Sequence, residues 1–242
     1  MKIFIALFYG VLAATAYGLG AYLAFELERG LKRGIATALY GAASGFLAGA
    51  LTLDALGAMA RLWSGRVFTA LILVLLGYVW LLGVNALLAR SFPIRSDRKL
   101  AVHLPRGAAG LVALLLSQAL IVSVGVAIST SLGFALALAL TALSFVDSAA
   151  LGGQLLATRT PRERIKQLMV AIVGVSSLSG LVYFATRSSA GSLIPLVVGM
   201  LIFVLSRAIP EVIRKRDEMR RSVAYVGAGL LSFGLYHFIT RI

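Results

Sequence analysis

The sequence predicts an all-α polytopic membrane protein with eight transmembrane helices, and three observations carry that prediction. Of the 242 residues, 60% are apolar and only 13% are charged, where a soluble domain carries about 25% charged residues. The apolar residues fall in long stretches that are apolar all round. In lipid the backbone is satisfied only by helices or closed barrels, and a barrel would need strict alternation. The basic residues, 23 Lys and Arg against 9 Asp and Glu, gather in alternate loops. Together these exclude a disordered chain, a soluble enzyme and a secreted disulfide scaffold.

A helical span needs about 20 apolar residues. Eight stretches qualify: Ile3–Phe25, Ile35–Ala60, Val67–Leu88, Gly107–Ile128, Leu132–Leu156, Leu168–Thr186, Ser192–Ile209 and Ser222–Ile239. The fourth and fifth are joined by a link of only Ser129 to Ser131, and the seventh starts near a kinking Pro195. The first, preceded by a lone Lys2 and followed by no small-residue cleavage site, reads as a retained helix. The longest link, 89–106, reads as a cytoplasmic loop between a three-helix part (1–88) and a five-helix part (107–242) of one transmembrane domain.

The charges orient the spans. The odd-numbered loops and adjoining helix ends hold 18 of the 23 basic residues. By the positive-inside rule those loops are cytoplasmic and both termini lie outside, as expected of a multi-pass protein of the cell membrane. The net charge of +14 is therefore mostly a topology signal, and no nucleic acid is called for. Arg214, Lys215 and Arg216 with Arg220 and Arg221 read as an orientation signal, or as a grip on anionic lipid. With no cysteine in the chain, disulfides and thiolate metal sites are excluded.

Polar residues at membrane depth are the candidate functional ones. Asp54 and Asp147 are the two acids inside spans. A charged residue there costs about 2.5–3.5 kcal/mol on insertion scales and so usually faces the bundle interior with a partner. Asp147 fits equally a functional carboxylate or a structural ion pair. Asp54 fits a locally paired or snorkelling acid, with Arg61 seven residues on. Arg207, near the end of the seventh span, either snorkels or partners an interior acid. Asn85, Ser117, Gln118, Ser144 and Gln154 read first as interhelical hydrogen-bonding groups. Gly41, Gly45 and Gly49, spaced by four, make a face for close helix packing against another span or another copy of the chain. His103 and His237 are isolated and make no metal site by spacing. No metalloprotease motif, phosphate loop or nucleophile–base pair is present, so no enzyme is expected.

The order of these features resembles the ZIP (zinc/iron permease) transporters across essentially the whole chain. In the seventh span Met200, Ile209, Pro210 and Glu211 are similar to that family's Met-x-x-x-x-x-x-Glu-x-Ile-Pro-Glu pattern. The fourth and fifth spans resemble the runs into its two His-Asn-x-Pro-Glu-Gly motifs, and VSSLSGLVYFA in the sixth resembles its Ser-Gly-x-x-Glu-Pro stretch. The resemblance implies eight helices arranged 3+2+3 and divalent-metal transport.

The ligands depart from that pattern. Carried over, the fourth-span motif falls on Ser117, Gln118 and Ile121. The fifth falls on Ser144 and Phe145, with its Glu on Ser148, or on Asp147 if the register slips by one. The sixth-span Glu becomes Tyr183 and the seventh-span Glu becomes Arg207. What the resemblance implies is thus a transporter with a degenerate site lined by Asp147, Ser144, Gln118, Ser117, Arg207 and Asp54. Asp147 would be a ligand to a weakly bound divalent metal ion, and Arg207 would pair with Asp147 or Asp54 in place of lost metal charge. The alternative is a transport-silent subunit of the same fold. The expected partners are the lipid bilayer, a small cation and a second copy of the chain, with dimerisation placed on the glycine face.

Overall fold

A computed structural model describes residues 2–26, 33–91, 104–157, 163, 167, 170–171, 173–175, 179–213 and 219–240. The described residues are helical apart from short links, with no strand among them. We number the helices α1 (Lys2–Glu26), α2 (Arg33–Gly49), α3 (Leu56–Trp63), α4 (Val67–Ser91), α5 (Leu104–Ile128), α6 (Thr130–Ala157), α7 (Ser179–Thr186), α8 (Ala190–Ile213) and α9 (Met219–Ile239). α2 runs into α3 through a π-helical segment, Ala50–Ala55, in which the Leu56 N–H bonds the Leu51 carbonyl. Among the described residues, seven helices are long and apolar enough to cross a membrane, the α2–π–α3 unit counting as one. α7 is the last part of the expected sixth span, and most of residues 168–178 lie outside the described residues.

The helices overrun the expected boundaries where polar residues were given to loops. α4 continues to Ser91 and α5 already starts at Leu104. The expected loop 89–106 is therefore shorter at both ends, and residues 92–103, with His103, lie outside the described residues. Pro105 falls in the first turn of α5, where a proline's missing N–H has no helical partner to lose. Pro195 sits inside α8, six residues into a continuous helix.

Three long-range hydrogen bonds and one His–Asp contact show which helix ends lie together. Lys2 donates Nζ to the Ala127 carbonyl at 2.7 Å. Tyr236 donates its hydroxyl to the Ser131 carbonyl at 2.8 Å. The indole N–H of Trp63 reaches the Gly191 carbonyl at 2.8 Å, and His237 Nδ1 lies 3.1 Å from Asp54 Oδ1. The start of α1, the ends of α3, α5 and α9 and the starts of α6 and α8 thus gather at one end of the bundle. These are the ends that the charge distribution also groups together.

Glycine decides which helices touch. Gly45 of α2 faces the Val226 carbonyl of α9, and Gly229 of α9 faces the Ala42 carbonyl of α2. Gly49 abuts the Phe233 ring. A β-carbon at any of these would collide with backbone or ring, so the pair can approach only without one. Gly77 and Gly199 do the same reciprocally for α4 and α8, against Leu196 and Val74. The glycine face of the second span is therefore covered by α9 of the same chain. The expectation that it joins two copies is corrected: the surface is already buried against α9.

The core lies where α5, α6 and α8 meet α2, with Leu47, Ile121, Leu136, Leu140, Leu201 and Phe233 fully buried. α4 and α9 are peripheral and turn large apolar side chains outward, among them Phe68, Leu75, Leu231 and Leu235. Such surface suits lipid tails, which are as apolar as leucine.

Candidate polar site inside the bundle

α6 carries a polar stripe because Thr141, Ser144, Asp147 and Ser148 recur at helical spacing. Ser144 is fully buried. Its hydroxyl donates to Gln118 Oε1 of α5 at 3.2 Å, long for an O–H···O bond. Ser148 donates to the Phe145 carbonyl of its own helix at 3.0 Å and lies 3.4 Å from the Ala16 carbonyl of α1. This contact is possible because Gly20 of α1 lets the two backbones close.

That approach carries Tyr17 of α1 into the layer. The tyrosine is 2% exposed. Ser144 and Gln118 lie close enough to interact with its hydroxyl, and the charges of Asp147 and Arg207 both act on it. Yet Ser144 bonds Gln118 instead, and the Tyr17 hydroxyl has no hydrogen-bond partner among the described residues. The Thr141 hydroxyl, one turn earlier on α6, is also buried without one. Buried hydroxyls are normally satisfied, and leaving one unpaired costs about 1–3 kcal/mol.

Arg207 is exposed on the bundle surface and donates Nη1 to Asn85 Oδ1 of α4 at 2.7 Å. It is thereby anchored in the α4–α8 seam. At about 1.5 Å rise per residue, Tyr17, Asn85, Asp147 and Arg207 each lie about 22–27 Å along their helices from the shared end. They form one layer, in the half of the bundle away from the ends joined by the Lys2, Trp63 and Tyr236 bonds.

The expected site residues do not all meet there. Ser144 and Gln118 bond each other beside Tyr17, on which the Asp147 and Arg207 charges also act. Ser117 turns the other way: it accepts the Trp80 indole N–H at 2.9 Å and donates to the Ala113 carbonyl at 2.7 Å. Its role is to bind α5 to α4. Asp54 stands roughly 10 Å nearer the shared end than Arg207, counted from the Trp63–Gly191 contact. Its carboxylate lies 3.1 Å from His237 Nδ1, a contact that reasoning from chain distance overlooked in favour of Arg61. Arg61 donates Nε to the Gly57 carbonyl at 3.3 Å. Tyr183, which stands where the resemblance would put a glutamate, is buried beside Phe184. The side chains of Gln154, Pro210 and Glu211 lie outside the described residues.

Tyr17 was missed because nothing local marks it. It sits in an Ala- and Gly-rich run, where a tyrosine reads as packing or as an interfacial aromatic. The small residues around it were the available signal, since they permit the close α1–α6 contact.

A divalent ion in this layer would meet one carboxylate, Asp147, with neutral oxygens from Ser144, Gln118 and Tyr17. Such ions take several nitrogen or oxygen ligands, usually with more anionic charge, and the Arg207 cation opposes them. Among the described residues no three His, Cys, Asp or Glu side chains gather as a metal-holding group. No protein-family model matches the chain, and no curated protein matches it either.

Proposed function

We propose that the protein is an integral membrane transporter resembling the ZIP permeases. In this reading eight spans cross the cell membrane, odd-numbered loops are cytoplasmic and both termini are outside. The polar layer around Tyr17 is the site through which cargo passes. The observation that carries the reading is the orphaned Tyr17 hydroxyl, surrounded by Gln118, Ser144, Asp147 and the Arg207 charge from three other helices. Asp147 supplies the negative charge for a cationic cargo, and the neutral oxygens supply adaptable hydrogen bonds. With one carboxylate the hold on a divalent metal is weak, which suits cargo that must leave as readily as it enters. Transport would proceed by rocking one group of helices against another about this layer.

The test is uptake of Zn, Cd, Mn and Fe ions into proteoliposomes by the wild type and by Asp147→Asn. Uptake by the wild type that disappears in the variant supports the reading. No uptake of any of the four by the wild type removes divalent-metal transport.

A second reading, a transport-silent subunit of the same fold, is favoured by one observation. The Ser144–Gln118 and Arg207–Asn85 bonds join α6 to α5 and α8 to α4 directly, as static ties would. It expects Asp147→Asn to change stability and leave every flux at the lipid background.

A further inference from the structure

The α5–α6 hairpin is closed by glycine and backbone at its turn and by side-chain hydroxyls further along. At the turn the Ser129 N–H bonds the Gly125 carbonyl at 2.8 Å, and the Gly133 N–H bonds the Ser129 carbonyl at 3.0 Å. The Ser129 and Ser131 hydroxyls lie 2.8 Å apart. Lys2 and Tyr236 add bonds from α1 and α9 to the Ala127 and Ser131 carbonyls. Gly125 and Gly133 notch each other's helix. A β-carbon on Gly133 would fall on the Val126 backbone, and one on Gly125 would meet Leu136 and the Gly133 α-carbon. The fully buried Ile121, Leu136 and Leu140 all lie between this turn and the Ser144–Gln118 pair.

Further from the turn the two arms belong to different neighbours. α6 is pressed to α1, where Gly20 lies against Ser148 and the Phe145 carbonyl. α5 is fastened to α4, where Gly110 abuts Leu88 and Ser117 accepts the Trp80 N–H. Between the arms at the layer stands the Ser144–Gln118 bond, whose 3.2 Å is long for an O–H···O bond. The Tyr17 hydroxyl lies beside it and the Thr141 hydroxyl one turn away, both buried and without a hydrogen-bond partner. The Thr15, Thr52 and Thr186 hydroxyls return to a carbonyl of their own helix, as helical threonines do; that of Thr141 does not. Two such hydroxyls disfavour the closed state against any state in which water reaches them.

We propose that α5 and α6 are two arms hinged at Gly125 and Gly133, which part at the Tyr17 layer and admit water and cargo from the end away from the turn. α1 moves with α6, and α4 with α5. Parting breaks the Ser144–Gln118 bond and gives the Tyr17 and Thr141 hydroxyls water as a partner, so the loss of the first is offset by the second. The Lys2 and Tyr236 bonds sit beside the hinge, where displacement is least. The inference names the seam that the transport reading needs, and rests on that reading for its purpose.

The chain has no cysteine, so introduced ones are unique labels. Ser144→Cys and Ser123→Cys are near-isosteric changes at buried positions, the first in the layer and the second close to the hinge. In nanodiscs a charged, water-soluble thiol reagent is expected to modify Ser144→Cys and to leave Ser123→Cys unmodified over the same time. Adding Tyr17→Phe, which removes one orphaned hydroxyl, should slow the Ser144→Cys reaction about fivefold or more. A second measurement leaves the layer intact. Spin labels are placed at the arm tips, Ala109→Cys with Ala150→Cys, and nearer the hinge, Leu120→Cys with Leu138→Cys. The first pair stands about 28–30 Å from the turn and the second about 12 Å, so rotation about the hinge should separate the tips more than twice as far. A Ser144→Cys that reacts no faster than Ser123→Cys, a rate unchanged by Tyr17→Phe, or a tip distance distribution as narrow as the inner one overturns the proposal. Neither readout uses flux. Metal uptake without hinge motion overturns this inference alone, and hinge motion without uptake of any of the four metals overturns divalent-metal transport alone.

Discussion

Two glycines five residues apart on α9 offer a controlled test of how the α2–α9 pair is held. At Gly234 an added β-carbon would meet nothing within 4 Å. At Gly229 it would fall on the Ala42 carbonyl, with the Phe46 backbone nitrogen 2.9 Å away. Alanine is favoured over glycine within a helix by about 0.5–1 kcal/mol, and that gain is common to Gly234→Ala and Gly229→Ala. It cancels in their difference, which isolates the contact. The obstructing atoms at Gly229 are backbone, so no rotamer change relieves the clash and the helices must part. Overpacking of this kind costs about 1–3 kcal/mol. Gly234→Ala should therefore stabilise the protein slightly, and Gly229→Ala should fall below it by about 1–3 kcal/mol. Reversible unfolding in mixed detergent micelles, titrated with dodecyl sulfate, reads both. If the two variants agree to within about 0.5 kcal/mol, the size of an ordinary surface effect, the two backbones are not in the contact described and the seam is misassigned.

Three further outcomes are expected in the same assay. Phe233→Ala should cost about 3–5 kcal/mol, because the ring is fully buried, packs edge-on against Phe46 at 5.1 Å and fills the space left by Gly49. Ser144→Ala should cost about 1 kcal/mol by leaving the Gln118 amide oxygen buried without its donor; adding Gln118→Leu should recover part of it, and a strictly additive double variant would show that the two side chains do not interact. Trp80→Phe should lose about 0.6 kcal/mol, the average for a hydrogen bond between membrane helices. In Ser117→Ala that same substitution should cost nothing more if the 2.9 Å bond is its whole effect.

The membrane character was legible because it rests on summed composition. A window of about 20 apolar residues suits a membrane span, and seven of the eight expected spans are long apolar helices among the described residues. The grouping of helix ends was legible for a related reason: charges sort by the cost of crossing lipid, residue by residue. The π-turn at Ala50–Ala55 was not legible. It changes only the bonding register, and its residues, ALTLDA, contain no Gly or Pro to mark the change. Pairing across the bundle was hidden as well. Asp54 finds His237, 183 positions away in the chain, and the sequence offers Arg61 as the nearer candidate.

The candidate site divides along the same line. That Ser144, Asp147, Gln118 and Arg207 lie at membrane depth follows from their places in apolar runs, because depth is set by one-dimensional position along a helix. Which of them meet depends on helix rotation and neighbour, and those are decided by close packing. Ser117 and Gln118 are adjacent, yet one turns to Trp80 and the other to Ser144, since a helix rotates about 100° per residue. Glycine shows the division most plainly. The sequence by itself determined that the Gly41, Gly45 and Gly49 face would be pressed against another helix, because only small residues let two backbones meet. Only the tertiary structure decided that the helix is α9 of the same chain, because Gly229 supplies the reciprocal notch from nearly the far end of the sequence.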